Sequence, residues 1–152
     1  MASKVRESID IGAPVESVFA FFDDLSNASV LVPALEEVTK VELVDCGGHR
    51  VEYTVRTERG DVAEASSEHL EYESPHRTVS RGVQSGITTT STREFEPIVG
   101  GTRLTATIEW EVPVRYVGRL VTAPLRGPLR RSLRETLHAA KDAIERRGQP
   151  GG

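Results

Sequence analysis

Apolar and polar residues trade places along the chain in two rhythms, a period of two and a period near 3.6, and the order of these rhythms outlines the fold. Val5, Glu7, Ile9 and Ile11 alternate with Arg6, Ser8 and Asp10, as in a strand with one wet face. Gly12-Ala13-Pro14 ends that strand. Val15, Val18, Phe19 and Phe22 then recur at helical spacing, with Pro14 suited to a first turn and Glu16 near the positive helix end. The polar stretch from Asp23 to Ser29 predicts a second short helix that fades before Pro33. From about Ala34 to Val112 the pattern is strand after strand, punctuated by turn residues at Cys46-Gly47-Gly48, Glu58 to Asp61, Ser74-Pro75-His76, Gln84-Ser85-Gly86 and Pro97 to Thr102. The last strand is the clearest: Leu104, Ala106, Ile108, Trp110 and Val112 on one face, Arg103, Thr105, Thr107, Glu109 and Glu111 on the other.

Helical spacing returns from Tyr116 to Arg147, carried by Val117, Leu120, Val121, Leu125, Leu129, Leu133, Leu137, Ala140 and Ile144. Pro124 and Pro128 predict a kink or break near residues 122–128, because each removes a backbone donor and crowds the preceding turn. The segment Val121 to Pro128 is therefore the expected gate. The whole is an α+β domain in which a curved antiparallel seven-stranded β-sheet wraps around a long C-terminal α-helix, with two short helices after strand 1. Residues 1–147 form this single domain, and 148–152 are expected to be a flexible C-terminal tail.

Tight hairpins fix which residues stand opposite one another, so the inner face can be sketched. Pairing Tyr72 with Arg77, Val83 with Ile87 and Phe95 with Leu104 gives an inward row of Val51, Glu68, Arg81, Thr89 and Trp110. A neighbouring row holds Tyr53, Ser66, Val83, Ile87 and Val112. A single bulge would shift both rows.

At 152 residues, with 38% hydrophobic and 28% charged residues, the chain suits one globular domain with its own core. A net charge of -4 argues against general polyanion binding, and no nucleic acid partner is expected. The start Met1-Ala2-Ser3-Lys4 lacks an apolar leader and no window approaches a membrane span, which predicts a cytoplasmic location. Cys46 is the only cysteine, which excludes an internal disulfide; it reads as a small turn residue.

Three segments together resemble the START-like, or SRPBCC, superfamily, in its polyketide cyclase/dehydrase-like branch. They are Ile9-Asp10-Ile11-Gly12-Ala13-Pro14-Val15-Glu16-Ser17-Val18-Phe19-Ala20-Phe21-Phe22, the hairpin Glu71-Tyr72-Glu73-Ser74-Pro75-His76-Arg77, and Gly100-Gly101-Thr102-Arg103. The resemblance covers Val5 to about Arg146 and implies the helix-grip fold. It implies a ligand such as a lipid, sterol, quinone, polyketide or hormone, and in a minority of members aromatase, cyclase or hydrolase activity. Aromatase/cyclase members typically carry a Trp-Pro-containing segment after the first helical region, where this chain reads Val30-Leu31-Val32-Pro33-Ala34-Leu35.

The candidate ligand pocket comprises Tyr53, Ser66, Glu68, Arg81, Thr89, Ser91, Arg93, Ile108, Trp110, Val121 and Leu125. Apolar walls with a few convergent polar groups are the makeup of a small-molecule site. Glu68 and Arg81, if inward, would orient a ligand carbonyl or hydroxyl; otherwise they are an ordinary cross-strand ion pair. The threonines from Thr88 to Thr92 fit either a polar lining or plain β-propensity. His49, His69, His76 and His138 do not converge as metal ligands, so no metal or other cofactor is expected, and His69 reads as a solvated surface histidine. Arg115, Arg119, Arg126, Arg130, Arg131 and Arg134 form either a solvated helix face or a patch for an acidic partner, RNA or anionic lipid, which leaves contact with a membrane surface open. Binding of a hydrophobic small molecule (lipid, quinone or polyketide-like) between sheet and helix is the leading functional expectation. A polyketide cyclase using Arg81, Glu68 and Tyr53, and a partner-binding module using the arginine face, are the alternatives. Oligomeric state is not encoded in any of these features.

Overall fold

A computed structural model describes residues 2–111 and 122–148, with side chains from 3 to 110 and from 126 onward. Seven strands form one antiparallel sheet in the order β1-β7-β6-β5-β4-β3-β2. They are β1 (Ala2–Ile11), β2 (Leu35–Leu43), β3 (His49–Arg56), β4 (Val62–Glu73), β5 (Arg77–Gln84), β6 (Ile87–Ile98) and β7 (Gly101–Glu111). Helix α1 (Val15–Asp23), a 3-10 turn (Leu25–Asn27) and the short α2 (Ala28–Leu31) follow β1, and α3 (Thr122–Arg147) closes the chain. The architecture is the helix-grip arrangement that the order of rhythms predicts.

The core occupies only one side of the concave face. Val5 and Ile11 of β1, Leu104, Ala106 and Trp110 of β7, and Phe95 of β6 pack against Val15, Val18, Phe19 and Phe21 of α1 and Leu133, Leu137, Ala140 and Ile144 of α3. Each such large apolar side chain, fully buried, contributes about 1.5–3 kcal/mol. Polar contacts fasten α3 along β1. Lys141 Nζ donates to the Asp10 carbonyl at 2.6 Å, the Gly12 N–H donates to Glu145 Oε2 at 2.7 Å, and Arg130 and Arg134 both meet Glu7. At the far end Arg147 donates to Asn27 Oδ1 at 2.9 Å and lies over the Phe21 ring.

Two hairpin loops are one residue shorter than the turn signals suggest, and this matters for every side chain on two strands. Ser85 and Gly86 both have positive φ, 52° and 77°, so Gln84 pairs directly with Ile87 across a two-residue turn of the type that matches strand twist. The Thr57 N–H bonds the Asp61 carbonyl, leaving a three-residue loop, and Val51 stands opposite Ser67 rather than Glu68. At the third hairpin Glu73, not Tyr72, pairs with Arg77, but a bulge between His69 and Glu71 brings Glu68 back opposite Arg81. The pairing of Phe95 with Leu104 and of Thr89 with Trp110 is as expected. The observed inner row is thus Val51, Ser67, Gly82, Thr89 and Trp110.

The expected break near residues 122–128 is not present in the described helix: α3 runs continuously from Thr122 to Arg147. Pro124 falls in its first turn, where a missing N–H costs nothing, and Pro128 is accommodated in the interior. Val112, the helical reading of 116–121 and the Val121 end of the expected gate lie outside the described residues.

One glycine holds β1 to β7. A Cβ at Gly101 would collide with the Ile11 carbonyl oxygen and crowd Gly12, and these are backbone atoms that cannot swing aside. Gly101→Ala is expected to destabilise the domain by about 3 kcal/mol. Urea unfolding measures this, and a cost near that of an ordinary surface substitution would contradict the close approach.

Candidate functional site

Away from the packed side, where α1 and α3 cover β1, β7 and part of β6, a hollow of about 480 Å³ remains over the concave face of β3 to β6. Its two walls differ in chemistry. The sheet contributes Tyr53, Ser67, His69, Thr78, Ser80, Gln84, Thr89, Ser91 and Arg93 along with the apolar Leu35, Val38, Val51 and Ile108, whereas the facing segments contribute Leu25, Leu31 and Val32, and α3 contributes Leu129 and Leu133, interspersed with Asp24, Ser132 and Thr136. Alternation explains the polar wall: successive inward positions of β5 are Thr78, Ser80, Gly82 and Gln84, and those of β6 are Thr89, Ser91 and Arg93. Small residues here leave the space unfilled.

Of the residues singled out from the sequence, Tyr53, Thr89, Ser91, Arg93 and Ile108 line the hollow. Trp110 lies on the same face but in the core, 2% exposed, with no acceptor for its Nε1–H among the described residues. Ser66, Glu68 and Arg81 do not line it. Their neighbours Ser67, His69, Ser80 and Gly82 do, so strand alternation puts these three on the convex face. The one-residue difference in loop length is the cause, since a slip by one exchanges the faces of a strand. Val121 and the Leu125 side chain lie outside the described part.

The same exchange brings His69 inward, contrary to its reading as a surface residue. Its Nδ1 accepts a hydrogen bond from the His49 N–H at 3.0 Å, and its ring meets those of His49 and Tyr72 edge to face. Because Nδ1 is the acceptor, the neutral ring carries its proton on Nε2. Gly48 permits this packing: a Cβ there would overlap the imidazole. Burial, with help from His49 and Arg93, pulls the His69 pKa down to about 4, against a smaller opposing pull from Asp23. The Asp23 carboxylate is itself engaged by Tyr72, whose hydroxyl donates to Oδ2 at 2.7 Å; burial first and this bond second push Tyr72 up to about 12.

Arg93 brings a permanent charge to the hollow. Its guanidinium lies 4.8 Å from the centre of the Phe22 ring, and burial lowers its pKa to about 10, so it stays protonated at neutral pH. The inward residues nearest it in the sheet are Thr78 and Ala106, short side chains that leave it room. Among the described residues no histidine, cysteine and carboxylate cluster could hold a metal ion. Cys46 is exposed, at the turn before His49.

The histidine has a measurable consequence. Its folded pKa, about 4, lies below the ordinary 6.5, so between these values the unfolded chain binds more protons and stability falls as pH falls. His49 and Arg93 oppose protonation and Asp23 favours it. The melting temperature of the wild type is therefore expected to drop more steeply between pH 6.5 and 4 than that of His69→Gln, measured in parallel to subtract the carboxylates. Parallel curves would contradict a buried neutral imidazole.

Comparisons with known proteins agree on the fold. The family model described as polyketide cyclase / dehydrase and lipid transport matches residues 2–145. The di-domain ARO/CYC BexL from the BE-7585A biosynthetic pathway is similar in structure, with a TM-score of 0.77 at 20% identity over 98% of this chain; the chain spans 51% of that protein's length. The Zhui aromatase/cyclase from Streptomyces sp. R1128 superposes with a TM-score of 0.76 at 17% identity, over 100% of this chain and 99% of that one. The protein TTHA0849 from Thermus thermophilus gives 0.71 at 22% identity, over 97% and 100%. No protein of curated function is significantly similar in sequence. With its family model matched from the first strand to the last turns of α3, the chain belongs to the polyketide cyclase/dehydrase and lipid transport family.

Proposed function

We propose that this protein binds an amphipathic small molecule, lipid-, quinone- or polyketide-like, in the hollow between the sheet and α3, and that binding requires no catalysis. The observation that carries this reading is a hollow in which hydroxyl, amide and charged side chains of the sheet look across at the leucines Leu31, Leu129 and Leu133. A cavity meant only to be packed would be closed by larger apolar side chains, and a solvated cleft would not need Leu31, Leu129 and Leu133 facing it. Its volume suits a ligand of ordinary metabolite size. Membership of a family described by both cyclisation and lipid transport supports a ligand of this kind.

A cyclase-type reaction is the second reading. Arg81 and Glu68 cannot serve it from the convex face, but Arg93 and the neutral His69 line one hollow and could polarise a ligand carbonyl. Turnover of a poly-β-keto substrate, lost in Arg93→Met, would favour it over binding alone.

Trp110 offers a direct test of binding. Its cross-strand partner Thr89 and its same-face neighbour Ile108 both line the hollow, so a ligand seated there changes the indole's surroundings. Titration with non-fluorescent long-chain and polycyclic amphiphiles is expected to shift Trp110 emission saturably. Filling the hollow by Ser91→Phe should abolish the response while the protein stays folded; a response unchanged by that substitution would place binding elsewhere.

A further inference from the structure

The charge balance of the hollow is uneven. Arg93 has no carboxylate partner among the described residues: the ion pairs they form involve Lys40, Arg50, Arg56, Arg77, Arg103, Arg130, Arg134 and Lys141 instead. The two acids closest along the chain to its Phe22 contact are engaged elsewhere. Asp23 accepts the Tyr72 hydroxyl, and Asp24, which lines the edge of the hollow, turns its Oδ1 to the Ser26 N–H at 2.9 Å and hydroxyl at 2.8 Å; both keep their charge, but neither forms an ion pair with Arg93. Burial is what lowers the Arg93 pKa, and among the described residues no carboxylate lies within ion-pair distance of it. A half-buried cation without a counter-charge is costly to keep, and the aromatic face of Phe22 offsets only part of that cost.

His69 adds a donor without adding charge. The His49 amide occupies Nδ1, so Nε2–H is the group the ring can offer the hollow, and it cannot act there as an acceptor in that tautomer. Two strongly donating groups, one charged and one neutral, therefore sit on the sheet side, across the hollow from Leu31 of α2 and Leu129 and Leu133 of α3.

We propose that the hollow selects an amphiphile whose polar end is a delocalised oxyanion, a carboxylate or an enolate or phenolate, held by the Arg93 guanidinium and the His69 Nε2–H, with its apolar body against Leu31, Leu129 and Leu133. This rests on the binding reading above and narrows it to anions. A planar guanidinium matches the two oxygens of a carboxylate and accepts the spread charge of an enolate equally well. Neutral sterol-like or alcohol ligands would leave the Arg93 charge unmatched, and cationic amphiphiles would be repelled.

The test compares chains that differ only at the head. Near neutral pH, dodecanoate is expected to bind about tenfold or more tightly than dodecanol by calorimetry, the scale of a hydrogen-bonded charge pair. In Arg93→Met that preference should vanish while dodecanol binding persists, and Arg93→Lys should restore part of it. Since Arg93 is unpaired, Arg93→Met is expected to keep or raise the melting temperature; should it fail to fold, Arg93→Gln takes its place. A hydroxycoumarin probe separates the two sources of charge: a lowered phenol pKa on binding to the wild type, and not to Arg93→Met, identifies a phenolate or enolate site, and no lowering alongside dodecanoate preference identifies a carboxylate site. Equal binding of acid and alcohol, or a preference that survives Arg93→Met, overturns the anion proposal and leaves the binding reading standing. Binding of neither chain, with no response from Trp110, overturns both.

Discussion

The seating of α3 on β1, at one side of the sheet, is the constraint from which the rest of this structure follows. A single helix about 10 Å across cannot cover the concave face of seven strands, so where it sits decides which part of that face is core and which part is open. Leu133, Leu137, Ala140 and Ile144 commit α3 to the β1, β7 and β6 side. Lys141, Glu145 and the arginines that meet Glu7 fix it there by polar contacts to β1 and to the turn that follows. Surface ion pairs of this kind contribute little stability individually. Their effect is positional, because they hold the helix in one register along the strand. Among the described residues, the β3 to β5 side is then faced by α2 and its neighbours rather than by a long helix, and a hollow results.

Chemistry follows from that geometry. The open side includes serine, threonine and glycine among its inward positions, where the packed side carries leucine, alanine, phenylalanine and tryptophan. Burial of the polar side is partial, enough to lower the pKa of His69 and of Arg93 yet not enough to exclude a ligand. The Tyr72 to Asp23 hydrogen bond ties the end of α1 to β4 and engages the Asp23 carboxylate that would otherwise be the nearest acid to the Phe22 and Arg93 pair. Fold and electrostatics therefore point the same way: a preformed space with a donor-rich floor.

Much of this was legible in the chain itself. Seven strands, two short helical segments and a long final helix were written in periodicity, and Phe95 opposite Leu104 followed from the glycine turn before β7. Thr89, Ser91, Arg93 and Ile108 could be placed inward because the register of β6 against β7 does not depend on the ambiguous loops, and Tyr53 shares the face of Val51 by alternation within β3, whichever residue of β4 stands opposite. Glu68, Arg81 and Ser66 were misplaced because Gln84-Ser85-Gly86 and Glu58 to Asp61 each close with one residue fewer than their turn-forming residues suggest. Ser85-Gly86 held a clue, since a two-residue turn needs positive φ at its central positions, which glycine adopts freely and Ser85 accepts here. His69 was missed for the same reason. The bulge between His69 and Glu71 carries no turn residue such as glycine or proline to mark it in the sequence.

Native mass spectrometry of the protein purified without denaturant, followed by solvent extraction, tests the central claim most directly: that the open half of the concave face is a ligand site. The account predicts a fraction of molecules carrying one additional small-molecule mass, released by organic solvent and diminished in Ser91→Phe. A single unliganded mass in the wild type, unchanged after incubation with amphiphiles of either charge, would contradict it and make the hollow a packing defect of a one-sided helix.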